Sequence, residues 1–149
     1  MTKRLSLIIV CIVMILSNTY AFAEDTKPPS ISADSGVLID ADTGQVLYEK
    51  NMNKVEFPAS ITKIMTTLLG IENGNLDDMV TMSRNAVFSI PRDSAHIALD
   101  TDEQIKLGDA LMAAILPSAN EACNGIAEHI SGSVEDFAKL MNERAISAG

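Results

Sequence analysis

Two apolar stretches with helical spacing, one opened by Pro58 and the other closed by Pro117, oblige this chain to pack helices together. After Pro58-Ala59-Ser60, the positions Ile61, Ile64, Met65, Leu68, Leu69 and Ile71 form a broad apolar stripe that ends at Asn73-Gly74. A helix so apolar is expected to be mostly buried. The second stretch, Gly108–Leu116, carries Asp109-Ala-Leu-Met-Ala-Ala-Ile-Leu and stops at Pro117, which cannot continue the hydrogen-bond ladder. Ser118 therefore falls in a turn. A helix is expected from about Glu121 to Ile130, closed by Ser131-Gly132, and Ser133-x-x-Asp136 resembles a capping box for another. Phe137, Leu140, Met141 and Ile146 mark the apolar side of that last helix.

Upstream, Gly36–Asp40 and Gln45–Lys50 are short strand-like runs around Ala41-Asp42-Thr43-Gly44, a pattern that predicts a β-hairpin. Glu24–Ser35, with Pro28-Pro29, reads as an extended leader to the fold. Leu76–Ser94 mixes apolar pieces with polar turns, and Ala95–Leu99 reads as a brief strand.

Met1–Ala23 has the layout of a secretory signal peptide. Lys3 and Arg4 form the positive region, Leu5–Leu16 the apolar one and Ala21-Phe22-Ala23 the cleavage site. The apolar run is short for a membrane span, so an exported domain at residues 24–149 is expected, with an uncleaved leader as the alternative. Cleavage would remove two of the 11 basic side chains and none of the 20 acidic ones, taking the net charge from -9 to -11. Such a balance argues against a nucleic-acid partner. A chain of 149 residues that is 47% hydrophobic and 21% charged suits one modest folded domain. Cys11 leaves with the leader, so Cys123 has no intramolecular partner, and its apolar helical setting reads as a core thiol.

Ser60-Ile61-Thr62-Lys63 is an S-x-x-K tetrad at a helix start, where three-residue spacing puts both side chains on one face. A serine hydroxyl is a weak nucleophile until a base takes its proton, and a lysine can be that base when burial keeps it neutral. The helix N-terminus adds positive dipole character near the attacking oxygen, which suits acyl transfer. The tetrad alone could equally be a capping serine and a solvated lysine. Ser118-Ala119-Asn120, in the turn after Pro117, is a second polar group able to face a cleft, although Ser118 could instead cap the next helix. Ser83-Arg84-Asn85 matches the same S-x-N pattern and reads as a decoy, because no apolar helix precedes it. His96 and His129 share no metal-ligand spacing, and Asp77-Asp78 and Asp102-Glu103 read as solvated turn acids, so neither a metal nor another cofactor is expected.

Phe57-Pro-Ala-Ser-Ile-Thr-Lys-Ile-Met-Thr, Ile115-Leu-Pro-Ser-Ala-Asn-Glu-Ala-Cys and Phe137-Ala-Lys-Leu-Met-Asn-Glu-Arg-Ala, in this order, closely resemble the D-alanyl-D-alanine carboxypeptidases, the low-molecular-mass penicillin-binding proteins. Gly36-Val-Leu-Ile-Asp-Ala-Asp-Thr-Gly-Gln-Val-Leu-Tyr resembles their opening hairpin. The resemblance implies an α/β (α+β) penicillin-recognising fold, with helices over an antiparallel sheet and the active site between them. It implies Ser60 as acylated nucleophile, Lys63 as its base, Ser118 as the second catalytic group and Asn120 as a substrate-binding residue. The implied substrate is the peptidoglycan stem peptide with its D-Ala-D-Ala terminus, and β-lactams would acylate Ser60 by mimicking it.

The family's Lys-Thr-Gly triplet does not occur in this sequence, which therefore reads as the N-terminal part of such an enzyme. Membrane association would then need a missing C-terminal segment or an uncleaved leader. Two alternatives stand beside the carboxypeptidase: an inactive remnant of it, and a β-lactamase-like hydrolase, against which Ala119 stands where class A enzymes carry aspartate.

Overall fold

The computed structural model describes residues 27–148. The expected signal peptide, at residues 1–23, lies outside them. The described residues form two units, divided after Glu56.

In the first unit, β1 (Gly36–Ile39) and β2 (Val46–Lys50) pair antiparallel, with Gly36 opposite Lys50 and Leu38 opposite Tyr48. The turn is built by Asp40, whose Oδ1 accepts from Thr43 N (2.8 Å) and Thr43 Oγ1 (2.6 Å). Gly44 then takes a φ of 72°, a left-handed value that costs glycine little. This is the hairpin that the Asp and Gly positions predict. The segment before it bends back, because Lys50 Nζ donates to the carbonyls of Ile31 (3.1 Å) and Ala33 (2.6 Å).

The second unit holds five helices: α1 (Thr62–Asn73), α2 (Arg84–Phe88), α3 (Leu107–Ile115), α4 (Asn120–Ser131) and α5 (Val134–Ala148). A 3-10 turn, Ala59–Ile61, leads into α1. β3 (Met79–Thr81) and β4 (Gln104–Lys106) form a small antiparallel pair in which Val80 faces Ile105. Helix α4 is the hub, with α1, α2, α3, α5 and β3 all packed against it. Its inner face is Ala122, Gly125, Ile126 and Ala127, and small residues there let neighbours approach closely. Leu69, Val80, Met82, Leu107, Leu111 and Phe137 complete the core. On α1, Gly70 meets Leu111 so closely that a Cβ there would stand 2.6 Å from its Cδ2. Pro117 ends α3 as expected. Gly132 caps α4 at a φ of 80°, and Ser133 Oγ accepts from Asp136 N (3.0 Å) while donating to Asp136 Oδ2 (2.9 Å) at the start of α5.

Two expectations are corrected. Helix α1 is not mostly buried along its isoleucine stripe: Ile61, Ile64 and Ile71 are exposed, and the buried face is Lys63, Thr66, Leu69 and Gly70. The helix is turned so that its polar face meets the Ser118 turn, which pins Lys63 by hydrogen bonds. Ala95–Leu99 is not a strand. Its backbone bonds to the start of α4 instead of to a ladder, with Asn120 N donating to Ala95 O (2.9 Å) and Ile97 N donating to Glu121 Oε1 (2.6 Å). Within Leu76–Ser94 lie β3 and α2, and Ser83 of the expected decoy is simply the N-cap of α2, accepting from Ala86 N at 2.9 Å.

Candidate active site

Ser60 stands in the 3-10 turn just before α1, after Ala59, whose φ of 48° is left-handed for a residue with a side chain. Ser118, in the turn between α3 and α4, has a φ of 63°. Each such conformation costs on the order of 1 kcal/mol and persists only where the surroundings impose it. The two strained turns face each other, and Lys63 lies between them.

Lys63 is one turn into the α1 ladder from Ser60 and only 8% exposed. Its Nζ donates to Ser118 O (2.7 Å), Ser118 Oγ (2.8 Å) and Ser60 Oγ (3.4 Å). Ser118 Oγ in turn donates to Ser60 Oγ at 3.0 Å. The two hydroxyls and the amine thus form a closed triangle. This disposes of the bland readings of both motifs: Lys63 is not a solvated lysine, and Ser118 does not cap α4. The cap position belongs to Ala119, which makes no side-chain cap bond, and the Ser118 hydroxyl goes to Lys63 and Ser60.

A cleft of about 430 Å³ opens beside Ser60 and Lys63, lined also by Ala59, Thr62, Thr66, Asn120 and Cys123. Asn120 spends its Nδ2 on the carbonyl of Ala95 (3.1 Å). Sequence reasoning missed Thr66 and Cys123 as lining residues. Their spacing carries the signal, since each lies three positions after an expected site residue on the same helix, Lys63 or Asn120.

Cys123 packs against the core as expected, and also borders this cleft. Burial pushes its thiol up to about 11, against the opposing pull of Lys63, so it is not a ready nucleophile. Asp77 pairs with Lys106 at 2.8 Å, and Asp78 Oδ2 lies 3.5 Å from His129 Nε2, both at the surface and apart from the cleft. No group of three or more His, Cys, Asp or Glu side chains able to hold a metal occurs among the described residues.

A serine hydroxyl held against a buried amine and a second hydroxyl, at the edge of an open cleft, is equipped to attack a carbonyl carbon. The profile of the D-alanyl-D-alanine carboxypeptidases matches residues 22–149. A D-alanyl-D-alanine carboxypeptidase of Bacillus subtilis is 36% identical, with 100% of this chain aligned to 40% of that protein. One from Haemophilus influenzae is 35% identical over 81% of this chain and 33% of its own length. Among solved structures, penicillin binding protein 5 from Haemophilus influenzae superposes with a TM-score of 0.74 at 34% identity, covering 83% of this chain and 37% of that one. The fold is therefore that of the penicillin-binding proteins, and the chain spans 40% or less of the length of these relatives.

Proposed function

This chain belongs to the D-alanyl-D-alanine carboxypeptidase family, and on that footing we propose that it carries the nucleophile of a serine-type D-Ala-D-Ala carboxypeptidase. Its substrate is the D-Ala-D-Ala end of a peptidoglycan stem peptide, and an ester on Ser60 is the intermediate. The observation that carries this reading is the Ser60–Lys63–Ser118 triangle.

Ser60 Oγ attacks the carbonyl carbon of the penultimate D-alanine while its proton leaves toward Lys63 Nζ. For Lys63 to act as the base, its Nζ keeps a proton on the Ser118 carbonyl and turns its lone pair to the Ser118 hydroxyl, which donates to it while accepting from Ser60. The shorter route for that proton is through Ser118 Oγ, with legs of 3.0 and 2.8 Å against a direct separation of 3.4 Å. As the tetrahedral intermediate collapses, the C–N bond breaks and the departing D-alanine amine takes the proton back along the same route. Water then enters by the same base and releases the ester as a shortened peptide. The start of α1 beside Ser60 favours the negative charge that develops on the attacked carbonyl. Asn120, with Nδ2 held by Ala95, has its Oδ1 left to accept from the substrate's amide. A β-lactam presents the same reactive carbonyl and would acylate Ser60 in the same way. The leader pattern at residues 1–23 supports export to the cell-wall side of the membrane, where that substrate lies. Among the described residues no helix is long and apolar enough to cross a membrane.

The test is D-alanine release from a diacyl-D-Ala-D-Ala peptide by the native full-length protein and its Ser60→Ala variant. Release by the first and none by the second is expected. Equal release by both would remove Ser60 from the chemistry.

A further inference from the structure

Among the described residues Glu121 is the one carboxylate in the core, 1% exposed and standing in the first turn of α4 directly after Asn120. Its Oε1 accepts from Ile97 N at 2.6 Å. Its Oε2 is equally buried and has no hydrogen-bond partner among the described residues. A buried oxygen without a partner lowers stability, so this side chain is not explained by its own contribution to the core.

What Glu121 holds is the segment Ala95–Ile97. That segment has no ladder of its own, and beyond it Ala98 takes a left-handed φ of 61°. On one side its His96 borders a cleft of about 540 Å³ that Phe88, Arg92, Leu99 and Glu121 itself also line. On the other side the Ala95 carbonyl receives both donors of Asn120, the backbone N at 2.9 Å and Nδ2 at 3.1 Å. Two successive residues of α4 therefore grip one short segment at two points. Asn120 is thus oriented by the carbonyl of a segment that Glu121 holds at a second point.

We propose that Glu121 is a positioning residue of the active site: by holding Ile97 N–H it fixes the Ala95 carbonyl, which sets the Asn120 carboxamide toward the cleft beside Ser60 and Lys63. Glu121 touches neither substrate nor the reacting atoms, and its effect passes through Asn120. The proposal rests on the acyl-transfer reading of the site for its kinetic consequence, while the grip itself is readable without any reaction.

The experiment compares Glu121→Ala, Glu121→Asp and Glu121→Gln in the native full-length protein. Two measurements are made: amide hydrogen exchange at Ile97 and Asn120, and the rate of acylation by a fluorescent penicillin per folded molecule, well below each variant's melting temperature. Glutamine keeps an acceptor oxygen at the right reach, aspartate is one methylene short, and alanine has none. Exchange at both amides should rise at least tenfold in Glu121→Ala and less in Glu121→Gln. Acylation should fall at least tenfold in the alanine variant and recover to within threefold of wild type with glutamine. If the alanine variant does not fold, the aspartate variant carries the same comparison. Faster exchange at Ile97 with Asn120 unchanged would overturn the proposal, as would normal acylation by a folded alanine variant whose melting temperature alone has dropped. A wild-type protein that does not acylate at all would count against the proposed chemistry, and the exchange data would still decide whether the grip exists.

Discussion

Ser118 is where the geometry makes its most specific demand on the kinetics. Removing its hydroxyl by Ser118→Ala deletes the 3.0 Å and 2.8 Å legs that join Ser60 to Lys63 and leaves only the direct 3.4 Å separation. That distance is at the long edge of a useful hydrogen bond, whereas both lost legs lie well within the usual range. Proton transfer to a positioned base contributes roughly 10²–10⁴-fold, and a direct route remains in this variant, so the loss should lie at the low end. A fall of about 100-fold in acylation corresponds to about 2.7 kcal/mol of barrier. Lys63→Ala removes the base itself and should cost more, toward ~10⁴-fold. Because the two groups act along one path, the double variant should be within about threefold of Lys63→Ala alone. The assay is the second-order rate of labelling by a fluorescent penicillin, read on protein shown to be folded by its melting curve. Labelling of Ser118→Ala within about threefold of wild type would refute the relay. Strictly additive losses would refute the single path.

Cys123 and the start of α5 give further outcomes. With its thiol pushed up to about 11 by burial, Cys123 should be modified by iodoacetamide at pH 8 on the order of 100-fold more slowly than an exposed cysteine of pKa near 8.5; a rate equal to that of a free thiol would contradict its placement. Ser133→Ala should cost about 1 kcal/mol through loss of the α5 cap, read as a lower melting temperature with unchanged labelling per folded molecule. Lys139, and then Ser133, hold the Asp136 carboxyl below its ordinary value. Its contribution is present above the ordinary carboxylate value and is lost as pH falls through the lowered one, so Asp136→Asn should flatten the acid limb of a melting-temperature profile and leave the neutral region less stable.

The parts of this fold that were legible in the sequence are those fixed by local chemistry. Asp40 through Gly44 build the turn that their residue types demand, Pro117 stops α3, and Ser133 with Asp136 starts α5. The misread parts depend on distant partners. Ala95-His96-Ile97-Ala98-Leu99 is short and apolar enough to look like a brief strand, yet backbone groups of Ala95 and Ile97 are claimed by Asn120 and Glu121, 24 residues away in the case of Ile97 and Glu121. The stripe on α1 is visible by period, but which face is buried was decided by Lys63, a residue whose burial makes sense only once the Ser118 turn is opposite it. Ser60, Lys63, Ser118 and Asn120 could be nominated from motifs and resemblance, and Thr66 and Cys123 only by counting three positions on from them, while Glu121 as a support depends on a segment 24 residues away.

In the proposed mechanism Ser60 carries the acyl group. The most direct measurement is to treat the native full-length protein with benzylpenicillin, determine its intact mass, and map the adduct by peptide sequencing in a mass spectrometer. The account predicts one penicilloyl group per molecule on Ser60 and none on the Ser60→Ala protein. An adduct on Ser118, Lys63 or Cys123, or undiminished labelling of Ser60→Ala, would contradict it.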